Sequence, residues 1–324
     1  MAEPGLGTYI LTLANACYDA AIWPALVTRL EARFQELARA MRADLRAGHR
    51  LAQPEDDQMV FLKLMAMGFE AVTVTEHRPA GPWAVQFNPL RALRPARASG
   101  MKVAGVVPPS FNAEGFHFNK PFLQPEILWE GALLSHCVRL LFNKFPFAPL
   151  HGLLVPEPER ARPQLLDQEM HLFAWHLAEA LGAGLPGLVI GYNSFGAHAS
   201  VNHLHFQFCL PERRLPVLSG HWRHNGGDQD YPVVCQVFES PLDAWFYLDA
   251  LHRQGIPYNL LYTPDRLHCL PRRPQGSRPG ATWTTGHAWY EMAGGVTTVN
   301  RDDFNQLTAA AIAEELGGLA PVFN

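Results

Sequence analysis

From Trp23 to His49 apolar residues recur at helical spacing along WPALVTRLEARFQELARAMRADLRAGH, and Gly48 stands where a helix would stop. This predicts an amphipathic helix whose task is to pack as an N-terminal extension. The same periodicity predicts helices over QLLDQEMHLFAWHLAEALG (Gln164 to Gly182), over SPLDAWFYLDALHRQG with Ser240 as N-cap, and over RDDFNQLTAAAIAEELGG. Short apolar runs between them read as strands: LHGLLVP, GLVIGYN, NHLHFQFCL, PVVCQVF, YNLLYT and LHCLP. Residues 79 to 125 are rich in Pro, Gly and Asn, and bursts such as WAVQFNPL and MKVAGVV suit short strands joined by loops. Strand clusters divided irregularly by helices predict an α+β fold, not a regular βα repeat.

A loose internal echo runs through the strand-like segments. FNKFPFAPLHGLLVPEP (Phe142 to Pro158) and YNLLYTPDRLHCLPRRP (Tyr258 to Pro274) both read aromatic–Asn, turn, His, apolar strand, Pro. Duplication of a strand–loop–strand unit would produce it, and so would chance.

Composition narrows the partners. Apolar residues make up 48% of the 324, enough for a sizeable core and too many for disorder. Lys and Arg (26) against Asp and Glu (30) leave a net charge of −4, which gives no basic stripe for a nucleic-acid polymer but allows a single nucleotide. The start, MAEPGLGTYI, has no basic segment followed by an apolar one, and no apolar run approaches 18 residues, so neither export nor membrane spanning is expected. Cys17, Cys137, Cys209, Cys235 and Cys269 are scattered without a CxxC pair, so disulfides and a Cys-based zinc site are disfavoured and a reducing cytoplasm is expected.

The chemistry concentrates in GYNSFGAHASVNHLHFQFCL, Gly191 to Leu210. On an extended strand His203, His205 and Gln207 share one face, and Leu204, Phe206 and Phe208 the other. The polar loop upstream, with Asn193, Ser194, Gly196, Ser200 and Asn202, has the small residues that bring backbone N–H groups close to an anion. Three readings of HLHFQ compete. The histidines could satisfy local hydrogen bonds on a half-buried strand. They could bind a metal, but the positions where a carboxylate ligand would follow hold Cys209 and Leu210. Or a neutral imidazole could attack phosphorus while its neighbours bind the phosphoryl oxygens.

The string GYNSFGAHASVNHLHFQ resembles the active-site motif of the GDP-hexose phosphorylases, and more distantly those of galactose-1-phosphate uridylyltransferase and diadenosine tetraphosphate phosphorylase. These belong to the branch of the histidine-triad superfamily in which Gln replaces the third histidine. VQFNPLRALRP and FHFNKPFLQPEILWE resemble the stretches before the core of the GDP-hexose phosphorylases. LFNKFPFAPLHGLLVPEPE resembles the first strand–turn–His–strand element, and YNLLYTPDRLHCLPRR with AWYEMAGG resembles the C-terminal half-repeat. The likeness runs in order from about residue 80 to 300. It implies an N-terminal helical extension over 1–79 and a core over 80–324, with half-repeats at about 126–215 and 230–324 forming antiparallel sheet with packed helices.

The resemblance implies roles residue by residue. His205 would be the nucleophile, with His203 holding ring and loop in register and a backbone carbonyl orienting the imidazole. Gln207 would donate its amide to a non-bridging phosphoryl oxygen. Asn193, Ser194, Gly196 and Ser200 would hold phosphates, with Asn202 beside them. Asn143 would contact ribose, His151 would stand behind the site, and Lys144 and Lys120 would contact phosphate. No metal or organic cofactor is implied. His198 departs from the pattern, standing where the relatives have an apolar residue, and the segment before Arg50 has no match.

Gln207 constrains the reaction, because an amide cannot protonate a basic leaving group. The leaving group must be stable as an anion, such as a sugar 1-phosphate. The expected activity is phosphorolysis of a GDP-hexose through a nucleotidyl-histidine, by an enzyme that could be a homodimer. A dinucleoside polyphosphate as substrate, supported by the NKFP stretch, and a nucleotide-binding regulator without turnover are the alternatives.

Overall fold

The computed structural model describes residues 5–95 and 106–321. Most of the MKVAGVV burst falls outside those residues. Three helices open the described chain: α1 (Leu6–Ala16), α2 (Trp23–Arg46) and α3 (Glu55–Met67). In α2 the buried stripe is Leu30, Phe34, Ala38 and Met41, at the spacing that made this helix visible in the sequence. The sequence pattern did not reveal α1 or α3. Seven of the eleven residues of α1 are buried, so it lacks a broad polar face to set the period. In α3 only Asp57, Val60, Phe61 and Leu64 are buried, and Asp57 among them is charged.

A three-stranded sheet follows from β1 (Glu76–Ala80) and β2 (Trp83–Phe87), which pair antiparallel. The larger sheet begins with β3 (Ile127–Leu133) and β4 (His136–Phe142), joined by Leu134 and Ser135, both at positive φ, as a tight two-residue hairpin requires. It continues through β5 (Gly152–Pro156), α4 (Gln168–Gly182), β6 (Val189–Asn193) and β7 (Phe206–Cys209). Next come β8 (Gln236–Phe238), α5 (Pro241–Gln254), β9 (Tyr258–Thr263) and β10 (Arg266–Pro271). The short α6 (Trp289–Met292) leads to β11 (Gly295–Thr298), which joins β2 in parallel, and α7 (Arg301–Gln306) and α8 (Ala309–Gly317) close the chain.

The eight-stranded sheet has the order β3-β4-β5-β7-β6-β9-β10-β8, with every pair antiparallel. This is an α+β architecture with a large antiparallel sheet and packed helices. The unit β5–α4–β6–β7 and the unit β8–α5–β9–β10 share one element order and meet where β6 pairs with β9. The echoed sequence segments are therefore not equivalent within these units. The first ends on β4 and β5, whereas the second makes β9 and β10, which hold the places of β6 and β7.

Alternation along the central strands sorts the core into two layers. Ile190, Tyr192, Phe206, Leu260 and Tyr262 pack with Phe173 of α4 and Leu248 of α5 on one face. Val189, Cys209, Leu261 and Leu270 pack on the other with Trp289, Val85 and Val296. The five cysteines are all free thiols. Among the described residues, no helix is long and apolar enough to cross a membrane.

Three expected elements differ from the structure. The helix expected from Gln164 starts at Gln168, where the Asp167 carboxylate caps it by accepting from the Met170 N–H at 2.9 Å. The single C-terminal helix is two, because Leu307 is extended and Thr308 caps α8. The strand expected through NHLHFQFCL covers only Phe206–Cys209. The N–H groups of Leu204 and His205 bond the Arg162 carbonyl (2.8 Å) and Gln164 Oε1 (3.0 Å) instead of a neighbouring strand.

Candidate active site

His205 therefore sits just before β7, on a clamped segment. Its Nδ1 is 2.8 Å from the carbonyl oxygen of His203 and 3.0 Å from Gln164 Oε1. Both are acceptors, so Nδ1 carries the proton and Nε2 keeps its lone pair. The Gln164 amide is itself fixed, since its Nε2 donates to the carbonyls of Asn193 (2.9 Å) and His205 (3.2 Å). Burial lowers the His205 pKa to about 4; the His203 carbonyl opposes the shift and Arg94 adds to it. At neutral pH the ring is uncharged and its direction is set.

Gln207 is the next residue on the same side and faces the same cleft. Its Oε1 accepts from Trp289 Nε1 at 2.9 Å and lies 3.2 Å from His151 Nε2. Indole N–H only donates, so the oxygen end of the amide must face Trp289 and the NH2 end is left for the cleft. His151 Nδ1 accepts from the Phe147 N–H at 3.3 Å, which puts the ring proton on Nε2, facing Gln207. Burial keeps His151 neutral, with Arg91 adding to the effect. Gly191 pairs in register with Gln207, and a Cβ on it would stand 2.3 Å from the Trp289 ring. Only glycine there lets the indole reach the amide.

The cleft wall combines Arg94, Asn143, Ser200 and Val201 with Phe116, Phe118, Phe122, Phe142 and Phe145. Phe122 and Phe142 are 40% and 38% exposed, which leaves ring surface open for a flat ligand. Arg94 Nη2 donates to Ser200 Oγ at 3.2 Å. From the extension come Asp56, Asp57 and Val60 of α3, so the N-terminal helices border the cleft as well as pack.

Several residues expected at phosphates are engaged elsewhere. Lys144 Nζ lies 2.7 Å from Asp57 Oδ1 and 2.6 Å from Glu126 Oε1. Burial would lower its pKa, but Glu126 and Asp57 outweigh that and hold it above the usual value. Its charge is neutralised by two carboxylates rather than offered to an anion. Lys120 Nζ donates to the Ala113 carbonyl at 2.8 Å and is outside the cleft wall. Of the loop residues expected at phosphates, only Ser200 lines the cleft. Asn193 Oδ1 accepts from the Trp289 N–H and from Asn259 Nδ2, both at 2.7 Å. Ser194 Oγ accepts from the Tyr258 N–H, and the Gly196 carbonyl accepts from the Gln275 N–H. Asn202 Oδ1 accepts from the Gln164 N–H, and its Nδ2 donates to the Pro109 carbonyl. These side chains build the loop that carries His205.

His203 also points away from the cleft wall. Its Nδ1 accepts from the Phe118 N–H at 3.2 Å, and its ring packs on Phe118 and Phe111. Burial first, then His205 and His117, lower its pKa to about 4. Its carbonyl orients His205. Sequence reasoning missed Gln164, Arg94 and Trp289 as site residues. The helical pattern takes in Gln164 as the first residue of a helix, while Arg94 and Trp289 stand in VQFNPLRALRP and AWYEMAGG. One group of potential metal ligands exists among the described residues, His136, Glu157 and Glu169, but Arg162 pairs with both carboxylates at 2.8 Å.

Residues 83–209 match the family described as GDPGP1-like, N-terminal domain. The chain is 36% identical over 195 residues to a macaque (Macaca fascicularis) GDP-D-glucose phosphorylase 1, covering 55% of this chain and 42% of that protein. It is 43% identical over 135 residues to Arabidopsis thaliana GDP-L-galactose phosphorylase 1, covering 37% of this chain and 30% of that one. The chain thus spans about half or less of the length of these curated relatives. In fold it is similar to the crystal structure of yeast Ap4A phosphorylase Apa2, with a TM-score of 0.56 and 19% identity over 85% of this chain and 98% of that one.

Proposed function

We propose, from the match of residues 83–209 to the GDPGP1-like N-terminal domain, that the chain cleaves a GDP-hexose with inorganic phosphate through a nucleotidyl-histidine. The observation that carries this reading is the state of His205. It is a neutral imidazole whose Nδ1–H is held by Gln164 and the His203 carbonyl, which leaves Nε2 unprotonated, and Gln207 lines the same cleft with its amide oriented to donate.

The reaction runs in two displacements. The Nε2 lone pair attacks the α-phosphorus, an N–P bond forms, and the P–O bond to hexose 1-phosphate breaks. Gln207 donates to a non-bridging oxygen as negative charge builds there. The departing phosphate monoester is stable as an anion, so no acid is required. An oxygen of inorganic phosphate then attacks the same phosphorus, a P–O bond forms as the N–P bond to His205 breaks, GDP leaves, and His205 returns to its neutral form. In this reading Arg94 supplies positive charge at the cleft wall, Asn143, which lines the same wall, contacts ribose, and the exposed faces of Phe122 and Phe142 take the base.

Nucleotide sugar and phosphate are the partners in this reading, and the free thiols support a reducing, cytoplasmic setting. A panel of GDP-glucose, GDP-mannose, UDP-glucose, ADP-glucose and diadenosine tetraphosphate, each with phosphate, tests the substrate class. Fastest turnover of a GDP-hexose supports the reading; fastest turnover of diadenosine tetraphosphate moves it to the dinucleotides. GDP binding without turnover of any member would make the protein a regulator.

A further inference from the structure

The loop that carries His205 has a second side. There a cavity of about 230 Å³ is lined by His198, Arg272, Gln275, Arg278, Thr284 and His287, none of which lines the His205 cleft. His198 connects it to the loop, since the His198 N–H donates to Gln275 Oε1 at 2.7 Å.

Arg272 is the informative member. It is 1% exposed, yet no carboxylate among the described residues lies within ion-pair distance of its guanidinium. Its Nε donates to the Arg273 carbonyl and its Nη1 to the His287 carbonyl, which leaves three of five N–H bonds on a cavity-lining residue. Glu291 attracts it only from a distance and is committed to the Ala288 N–H. A buried cation without a partner is costly, and a bound anion removes that cost. The cavity's own carboxylate, Glu315, is taken by Arg278 Nη2 at 3.0 Å and the Ala281 N–H at 3.2 Å. The Thr284 hydroxyl donates to the Gly286 carbonyl at 3.0 Å, while the side chains of His198 and Gln275 add neutral polar groups to the cavity wall.

We propose that this cavity binds a phosphate-class oxyanion on the Arg272 guanidinium, in addition to any phosphate held beside His205. The anion is either free inorganic phosphate or a phosphate group carried by a larger ligand. This inference goes beyond the proposed reaction and does not depend on turnover.

Thermal unfolding of the full chain with increasing inorganic phosphate tests it, because a ligand of the folded state raises Tm with concentration. The wild type and His205→Ala should both be stabilised. Arg272→Met should lose the response, with the apparent phosphate affinity falling at least tenfold, and should be no less stable than wild type without phosphate, since an unpaired buried charge has gone. Arg278→Ala, at a more exposed position, should weaken the response while keeping the fold. Equilibrium dialysis of labelled phosphate, with glucose 1-phosphate and GDP as competitors, identifies the source. A competitor that displaces the label below the concentration needed with unlabelled phosphate marks a carried phosphate group; otherwise free phosphate is the occupant. An unchanged phosphate response in folded Arg272→Met and Arg278→Ala would overturn the proposal. So would a response abolished by Arg94→Ala alone, which would put the anion in the His205 cleft.

Discussion

Trp289 Nε1 donates at 2.9 Å to Gln207 Oε1, and this bond, with the His151 Nε2–H 3.2 Å from the same oxygen, decides which end of the amide faces the cleft. The two residues are 82 positions apart and meet because Gly191 leaves room for the indole. Trp289→Phe keeps the packing volume and removes the shorter of the two donor contacts to Oε1, which loosens the hold on the amide. We expect kcat to fall about tenfold, equivalent to about 1.4 kcal/mol of transition-state stabilisation, with little change in KM. Gly191→Ala should reproduce that loss by displacing the ring. Steady-state kinetics of both variants check the pairing.

Gln164 performs the corresponding task for His205. Replacing it with Leu removes one of the two acceptors for Nδ1–H and two amide clamps on the loop, leaving only the His203 carbonyl to hold the ring. Nucleotidyl transfer should slow on the order of a hundredfold, as for loss of one preorganised polar group. Gln164→Glu should act differently, because a carboxylate beside the ring favours imidazolium and moves the acid limb of kcat/KM to higher pH. Parallel pH profiles of the two variants separate orientation from charge.

For the wild type the acid limb follows from burial. An unperturbed histidine titrates near 6.5, whereas His205 is lowered to about 4, so kcat/KM should hold down to about pH 4 and fall below it. In the substrate complex the anionic phosphates favour the protonated ring, so the acid limb of kcat should lie at higher pH than that of kcat/KM. The same shifts act on stability. His203, His205, His268 and His287 are all buried and lowered to between about 3 and about 4. Unfolded histidines bind protons below about 6.5 while these remain neutral, so stability falls as pH drops from 6.5 towards 4. Each such residue adds a slope of about 1.4 kcal/mol per pH unit. A Tm that declines across that window checks the sign; a flat Tm contradicts it.

Lys144 should behave as an ion-pair partner rather than a phosphate ligand. Lys144→Met leaves Asp57 and Glu126, whose side chains are 8% and 10% exposed, without their cation. Removing one partner of a buried pair costs about 3 kcal/mol or more, so Tm should drop. Adding Asp57→Asn and Glu126→Gln should recover much of the loss. A Lys144→Met variant with unchanged Tm and a raised KM for the nucleotide sugar would restore the phosphate role.

What the sequence revealed depended on how local each signal was. The stripe of α2, the Ser240 cap and the strands β5, β6, β9 and β10 were legible because period and punctuation lie within a few residues. The motif around His205 was legible as a string, but its geometry was not. His203 and His205 lie off the strand because Arg162 and Gln164 take the N–H groups of Leu204 and His205. Asn193, Ser194 and Asn202 look like phosphate donors in sequence. Their partners, Asn259, Tyr258 and Gln164, come from other parts of the chain, and nothing in the loop announces them. The same holds for Lys144, whose carboxylates come from α3 and the turn before β3.

The central claim is a covalent bond between His205 and the nucleotide. Intact-mass measurement of the full chain, mixed with GDP-glucose in the absence of phosphate and quenched at alkaline pH, tests it directly. The account predicts one added guanylyl group per active chain, labile to acid, discharged as GDP when phosphate is supplied, and absent from His205→Ala. Rapid phosphorolysis by wild type with no adduct at any quench time, or an adduct of equal yield in His205→Ala, would contradict it.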